Sequence, residues 1–271
     1  MAEIKAVSLA KLVSDEYFKM NLLASRKILD SLYSSKPKNN LQKQVLRLIE
    51  ENQLLSLKNR TPLCQDTGVL TIFLELGAGT SITGNLKREI SKKLNEVTKK
   101  QGLRFSVVGR DGKYSNEPVL HILQSDTKKS RIVLMAKGGG SENLTKIEML
   151  SPASTDDDIV DFAVRAVNSA QDRGCPPYIL SIGVGESAEE SAALSKMALT
   201  GFFNHNNELY EKKIAHKTMK RANKLNIGIQ GLGFGETIAD CRVIIKKRHI
   251  AALPVAVMFN CFQERVREML L

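Results

Sequence analysis

The sequence predicts an α/β fold: one compact domain over residues 1–271 with a mixed β-sheet flanked by helices, residues 1–60 forming its helical N-terminal part. Two observations predict it. Segments with apolar residues at helical spacing alternate with strand-length runs of apolar and β-branched residues. No internal repeat or low-complexity linker divides the chain.

The elements follow in order. Residues 3 to 58 read as helices, with helical apolar spacing in "LASRKILDSLYSS" and "LQKQVLRLIEENQLLSL" on either side of the turn-forming "SKPKNN". "VLTIFLEL" has the length and composition of a strand. Residues 85 to 100 make an amphipathic helix, and "RFSVV", "VLHILQ" and "RIVLMAK" follow as strand candidates, the last running into "GGGSEN". Ser154, with Asp157 three residues on, caps a helix that Gly174 ends, and "CPPYILSIGVG" gives a turn and a short strand. Ser187 and Glu190 form a second capping box ahead of "AEESAALSKMAL". A helix over 207–224 leads to the glycine-rich "NIGIQGLGFGET", then to strands at "IADCRVIIKK" and "IAALPVAVMF", the last closed by Cys261.

Composition narrows the function classes. A net charge of +11 invites nucleic acid. Acids are interleaved with the lysines, as in "LKREISKKLNEVTKK", and the chain has no Trp and only 5% aromatic residues with which to stack bases. Attraction for a small anionic substrate follows from the same charge and is equally unspecific. No apolar run approaches the roughly 18 residues of a membrane span. The first helix carries acids and lacks the apolar core of a signal peptide, so the expected address is cytoplasmic.

The four cysteines, at 64, 175, 241 and 261, include no close pair, which excludes zinc-ribbon and CxxC redox spacing. They either converge on a metal from distant elements or are inert thiols. Cys64 and Cys175 stand at strand entrances and Cys261 at a strand end. Cys241 alternates with Val243 and Ile245 inside a strand, the position of a core thiol. In "TPLCQDTG", Asp66 is either a proton-handling acid or the acceptor of an Asx turn before Gly68, and Thr67 and Gly68 read as turn residues alone. "GGGSEN" offers backbone amides for an anion but lacks the Lys-Ser/Thr of a nucleotide loop.

The segments "PLCQDTG", "AKGGGSEN", "CPPYILSIGVG", "NIGIQGLG" and "RHIAALPVAVMFNC", in this order, resemble the α subunit of the iron–sulfur (class I) fumarate hydratase and L(+)-tartrate dehydratase family. The resemblance covers roughly residues 10 to 265 and corresponds to the N-terminal domain of single-chain members. It implies that Cys64, Cys175 and Cys261 bind a 4Fe-4S cluster with one open iron, three thiolates being the number such a cluster needs. By the same resemblance Asp66 is catalytic, Gln65 and Arg104 bind substrate, and an amide of Gly139 or Gly140 faces a substrate carboxylate. His249, twelve residues before Cys261, matches a substrate-site histidine. Cys241 matches no ligand, and Gln230 lies in a turn beside the site.

The implied activity is a reversible hydro-lyase acting on a 2-hydroxy dicarboxylic acid, fumarate to malate first and L-tartrate as the rival. A cluster-free regulatory or scaffold subunit is the alternative from another class. The family's threonine base belongs to a second domain, which in two-subunit members is a separate β chain, so this chain is expected to work only in an αβ partnership, doubled to α2β2. Three stretches depart from the pattern: the short "GRDGKYSNEP", "GLGFGET", and "GVGES" with Glu186 and Ser187.

Overall fold

The computed structural model describes residues 2–271. In chain order its elements are β1 (Ala2–Lys5), α1 (Ala6–Met20), α2 (Arg26–Ser34), α3 (Asn40–Asn59), β2 (Val69–Leu76), β3 (Thr80–Thr83) and α4 (Leu86–Lys100). Next come β4 (Val107–Val108), β5 (Tyr114–Ser115), β6 (Val119–Gln124), β7 (Arg131–Lys137), α5 (Gly139–Glu142), β8 (Lys146–Leu150) and α6 (Asp156–Ala170). The chain closes with β9 (Tyr178–Val184), α7 (Ala188–Thr200), α8 (Leu209–Asn223), β10 (Ile238–Ile245), β11 (Leu253–Asn260) and β12 (Val266–Leu270). The mixed α/β class is as the alternating patterns predict. The strands, however, are not gathered in one sheet: contacts divide the chain into two compact units, each with a four-stranded sheet and its own core. Among the described residues, no helix is long and apolar enough to cross a membrane.

The first unit comprises the residues up to Ala24, Ile49–Gly139 and Arg265–Leu271. Its sheet has the order β12-β7-β2-β6. β2 pairs parallel with β6, and β7 pairs antiparallel with β2 and β12. "VLTIFLEL" and "RIVLMAK" are nearly continuous apolar runs because they are the two central strands. Leu70, Ile72, Leu74, Ile132 and Leu134 of these strands meet Leu9, Val13 and Tyr17 of α1 and Ile90 and Leu94 of α4 in one core. α4 is capped by Asn85, which accepts the Arg88 N–H at 3.1 Å, and Lys99 and Lys100 complement its C-terminal dipole. The register places Val69 opposite Lys137, so the entrance of β2 lies beside the exit of β7.

The second unit comprises Ser25–Leu48 and Gly140–Glu264, with the sheet order β10-β9-β11-β8. β9 is fully buried, parallel to β10 and antiparallel to β11. α6 and α8 supply Val160, Ala163, Val167 and Ile214 to a core on one face, with Tyr178 and Phe259 edge-to-face at 5.3 Å. α7 packs so closely on the other face that a β-carbon on Gly183 would lie 2.3 Å from the Ser191 carbonyl oxygen. Ser181 and Ser195 hydrogen-bond across that contact at 2.9 Å. Asn260 pairs with Ile179, so the exit of β11 lies beside the entrance of β9.

Several local expectations shift. Residues 2–5 are a strand that pairs with β3, and the first helix begins only at Ala6. Of "RFSVV" only Val107–Val108 is strand. The helix predicted to open at Ser154 is capped one residue later: the Asp158 carboxylate accepts the Thr155 N–H at 2.6 Å and its hydroxyl at 2.9 Å. That helix ends at Ala170, and Gly174 serves close packing instead, since a β-carbon there would lie 2.6 Å from Leu144. Ser187 caps α7 as predicted, but Glu190 reaches the Glu186 N–H at 2.6 Å. β8 and β12 were not anticipated; both are short edge strands, β8 mostly exposed and β12 mixed in burial.

Candidate active site

The turn before β2 is built around Asp66. Its Oδ1 accepts the Gly68 N–H at 3.2 Å, the Asx turn, and its Oδ2 accepts the Gly139 N–H at 2.7 Å. The Asx turn is formed as one reading of Asp66 expects, and the carboxylate stays partly exposed beside Cys64 and Gln65. Two glycines are required by this approach. Gly68 has φ +81°, and a β-carbon on it would lie 2.8 Å from the Lys137 main chain. A β-carbon on Gly138 would lie 2.8 Å from Asp66 Oδ2. The Gly139 amide, expected to face substrate, is engaged by Asp66 in this structure.

Side chains the sequence did not single out hold the turn from behind. Tyr17 donates its hydroxyl to the Gly68 carbonyl at 3.0 Å, and burial raises its pKa. Arg265, buried at the start of the last strand, donates to the Asp66 carbonyl at 2.7 Å and to Asn21 Oδ1 at 2.7 Å. The Asp66 N–H points to Cys64 Sγ at 3.4 Å. Thr67, expected to be only a turn residue, donates to the Arg104 carbonyl at 3.1 Å and accepts the Arg104 N–H at 3.2 Å. Asn116, inside the short "GRDGKYSNEP", donates to the same carbonyl at 3.0 Å. Arg104 thus has a main chain fastened to the Asp66 turn, and the residue is exposed.

In the second unit, Cys175 and Cys261 come to one end of the sheet. The Phe262 N–H donates to the Cys175 carbonyl at 3.3 Å, and Cys175 has φ +58°. Gln230 finds its role here: its N–H and its side-chain amide donate to the Pro176 carbonyl at 2.9 and 3.0 Å, bracing the turn that follows Cys175. Behind Cys261, the Glu264 N–H donates to the Cys261 carbonyl at 3.2 Å. The Glu264 carboxylate pairs with the buried Arg242, which also holds Asp240 at 2.9 Å and the Leu199 carbonyl at 2.6 Å.

His249 does not join them. It lies between β10 and β11, with Nδ1 accepting the Ala251 N–H at 3.1 Å, and β11 separates it from Cys261. That strand has eight residues and a length of about 26 Å. Gly140 is exposed at the start of this unit. Spacing to a cysteine along the chain does not reveal that an extended strand carries the two residues apart.

The thiols divide by exposure. Cys64 and Cys261 are partly exposed and Cys175 is exposed, as ligation requires; Cys241 is buried, and burial pushes its thiol pKa up. Soft thiolates are the donors an iron–sulfur group takes, so donor type and exposure fit such a group at the three expected positions and exclude the fourth. Beside Cys261, Asn260 is 1% exposed and its Nδ2 has no acceptor among the described residues. Among the described residues, no group of three or more His, Cys, Asp or Glu side chains is arranged to hold a metal ion by itself.

Comparison with known proteins agrees with the motif order. The family model described as fumarate hydratase (Fumerase) matches residues 10–269. A protein of Methanocaldococcus jannaschii provisionally named L(+)-tartrate dehydratase subunit alpha is 30% identical over 244 residues, 85% of each chain. A provisionally named class I fumarate hydratase of Geobacillus stearothermophilus is 31% identical over 238 residues, which are 81% of this chain and 46% of that one. The L(+)-tartrate dehydratase subunit alpha of Escherichia coli K12 is 24% identical over 238 residues, 84% of this chain and 78% of the relative. With nearly the whole chain matched and the Cys64–Gly68 turn built around a carboxylate, this chain belongs to the fumarate hydratase (Fumerase) family of hydro-lyases.

Proposed function

We propose that the chain is the α subunit of an iron–sulfur hydro-lyase of the cytoplasm that interconverts fumarate and malate, with the active site completed by a β subunit in an α2β2 assembly. The observation that carries this reading is the Asp66 carboxylate, aimed by the Gly68 and Gly139 amides and directly following Cys64 and Gln65. Cys64, Cys175 and Cys261 would hold a 4Fe-4S cluster. When bound, such a group supplies a Lewis acid for a substrate hydroxyl and carboxylate. Arg104 offers a planar guanidinium to a carboxylate of the diacid, and its backbone cannot drift because Thr67 and Asn116 hold it. Gln65 and Gly140 are exposed for further polar contacts. Asp66 handles the proton exchanged at the neighbouring carbon, in concert with a base on the partner. His249, which β11 separates from Cys261 within this chain, is the further substrate contact that its motif implies.

Two findings support a partner chain. The relatives matched over most of their length are named as alpha subunits, whereas the relative with a fumarate hydratase name is about twice the matched length. In addition, the part of α3 in the first unit exposes Leu54, Leu55 and Leu57, apolar side chains of the kind partners cover. The alpha-subunit names also favour L-tartrate as a second substrate reading.

Anaerobic co-expression with a β subunit, followed by assays on malate, fumarate and L-tartrate, tests the reading. About four irons per α chain and turnover only by the pair are expected. Full turnover by the iron-loaded chain alone would defeat the partnership, preference for tartrate would move the substrate, and absence of iron uptake would leave the cluster-free scaffold.

A further inference from the structure

Asn260 is the last residue of β11 and immediately precedes Cys261. Its partner in the sheet is Ile179, and Phe259 before it faces the core with Leu180. Alternation along the strand turns Asn260 to the opposite face, the side on which α7 packs and Ser195 reaches Ser181. The residue is 1% exposed, and its Nδ2 meets no acceptor among the described residues. A buried amide nitrogen of this kind is rare in a native fold, where nearly every buried donor has a partner. Nearby, the Phe262 and Glu264 amides have acceptors and Arg242 holds three oxygens, whereas the buried Gln263 also leaves its Oε1 without a partner among the described residues. Of these two unmatched atoms beside Cys261, only the Asn260 Nδ2 is a donor.

We infer that Asn260 is a positioning and tuning residue, whose Nδ2–H donates to a sulfur of the group held by Cys261. This rests on the cluster reading above and adds to it a donor that is not a ligand. Sulfur in such a group is a large, electron-rich acceptor, and N–H donation to it stabilises the more negative, reduced state. The same contact orients the thiolate, since Asn260 is anchored in the sheet by its pairing with Ile179.

The test uses the α chain co-purified with its β partner and loaded anaerobically with ferrous iron and sulfide. In protein carrying asparagine labelled with nitrogen-15 in the side-chain amide, pulsed EPR of the reduced cluster should show a nitrogen hyperfine coupling that changes with the label. This measurement needs no substitution and so survives a variant that fails to fold. N260L should lower the midpoint reduction potential relative to wild type and abolish the coupling, while N260Q, which keeps an N–H donor, should recover part of the potential. A loaded wild-type protein without the label-dependent coupling, or N260L with an unchanged potential, overturns this inference and leaves the cluster reading standing. A wild-type pair that takes up no iron overturns both.

Discussion

The hydroxyl of Thr67 holds both main-chain groups of Arg104, donating to its carbonyl at 3.1 Å and accepting its N–H at 3.2 Å. The turn that carries Asp66 and the segment that carries Arg104 are thereby fastened at a residue 1% exposed to solvent. Thr67→Val keeps the shape but leaves the Arg104 N–H without its acceptor and the carbonyl with Asn116 alone, a loss of about 1–3 kcal/mol. Urea unfolding should show that loss, and KM for the dicarboxylate should rise several-fold with a smaller change in kcat. Thr67→Ser, which keeps the hydroxyl, should restore most of both.

Asp66 accepts one amide on each carboxylate oxygen, so the two oxygens are not equivalent. In Asp66→Asn the side-chain NH2 must either face the Gly139 N–H or replace the acceptor of the Gly68 turn, and a donor then meets a donor. Activity should fall by about a hundredfold or more, the usual range for a proton-handling group. Gly138→Ala attacks the same carboxylate from outside, because the new β-carbon would start 2.8 Å from Oδ2. It should lower kcat while iron content, measured in the same preparation, stays at the wild-type level.

Much of the fold was legible because buried strands and amphipathic helices write long patterns. "VLTIFLEL", "RIVLMAK" and the helix over 85–100 lie where their apolar spacing puts them. What was not legible depends on pairing. β1 is a strand because β3 lies beside it, and nothing in "AEIK" alone favours that over a helix. The division of strands between two sheets is likewise a matter of which edges meet. In the site, the cysteines and Asp66 stood out by residue type and motif. Thr67, Gln230 and Arg265 did not, since each acts through a main-chain carbonyl far away in sequence.

The four cysteines should separate cleanly on substitution. Cys64→Ser, Cys175→Ser and Cys261→Ser each remove a partly or fully exposed thiol and should abolish stable iron uptake without unfolding the chain. Cys241 is enclosed by the core of the second unit, so Cys241→Ala should leave iron content unchanged and cost about 1 kcal/mol through the lost sulfur packing. Iron analysis beside thermal unfolding of all four variants checks the pattern. Iron lost from Cys241→Ala but retained by Cys175→Ser would invert the assignment.

Alkaline pH should destabilise the chain in a window set by buried acids that stay protonated when folded. Tyr178 is pushed up from 10.0 to about 12, chiefly by burial, with nearby Cys175 and Asp172 adding to the rise and its bond with Gly174 opposing it. Tyr17 is raised from 10.0, and Cys241 from 9.0, by burial as well. In each case the unfolded chain gives up its proton first as pH rises, so stability is complete below the ordinary pKa and is lost as pH climbs through the folded one. Unfolding free energy should thus hold up to about pH 9 and fall steadily from there to about pH 12, the span between the ordinary thiol value and the raised Tyr178 value. Tyr178→Phe removes the hydroxyl that donates to the Gln171 carbonyl at 2.7 Å, so it should be less stable at neutral pH yet show a shallower loss above pH 10. Urea denaturation at a series of pH values reads both effects, and a Tyr178→Phe curve running parallel to wild type through this window would exclude Tyr178 as a source of the loss.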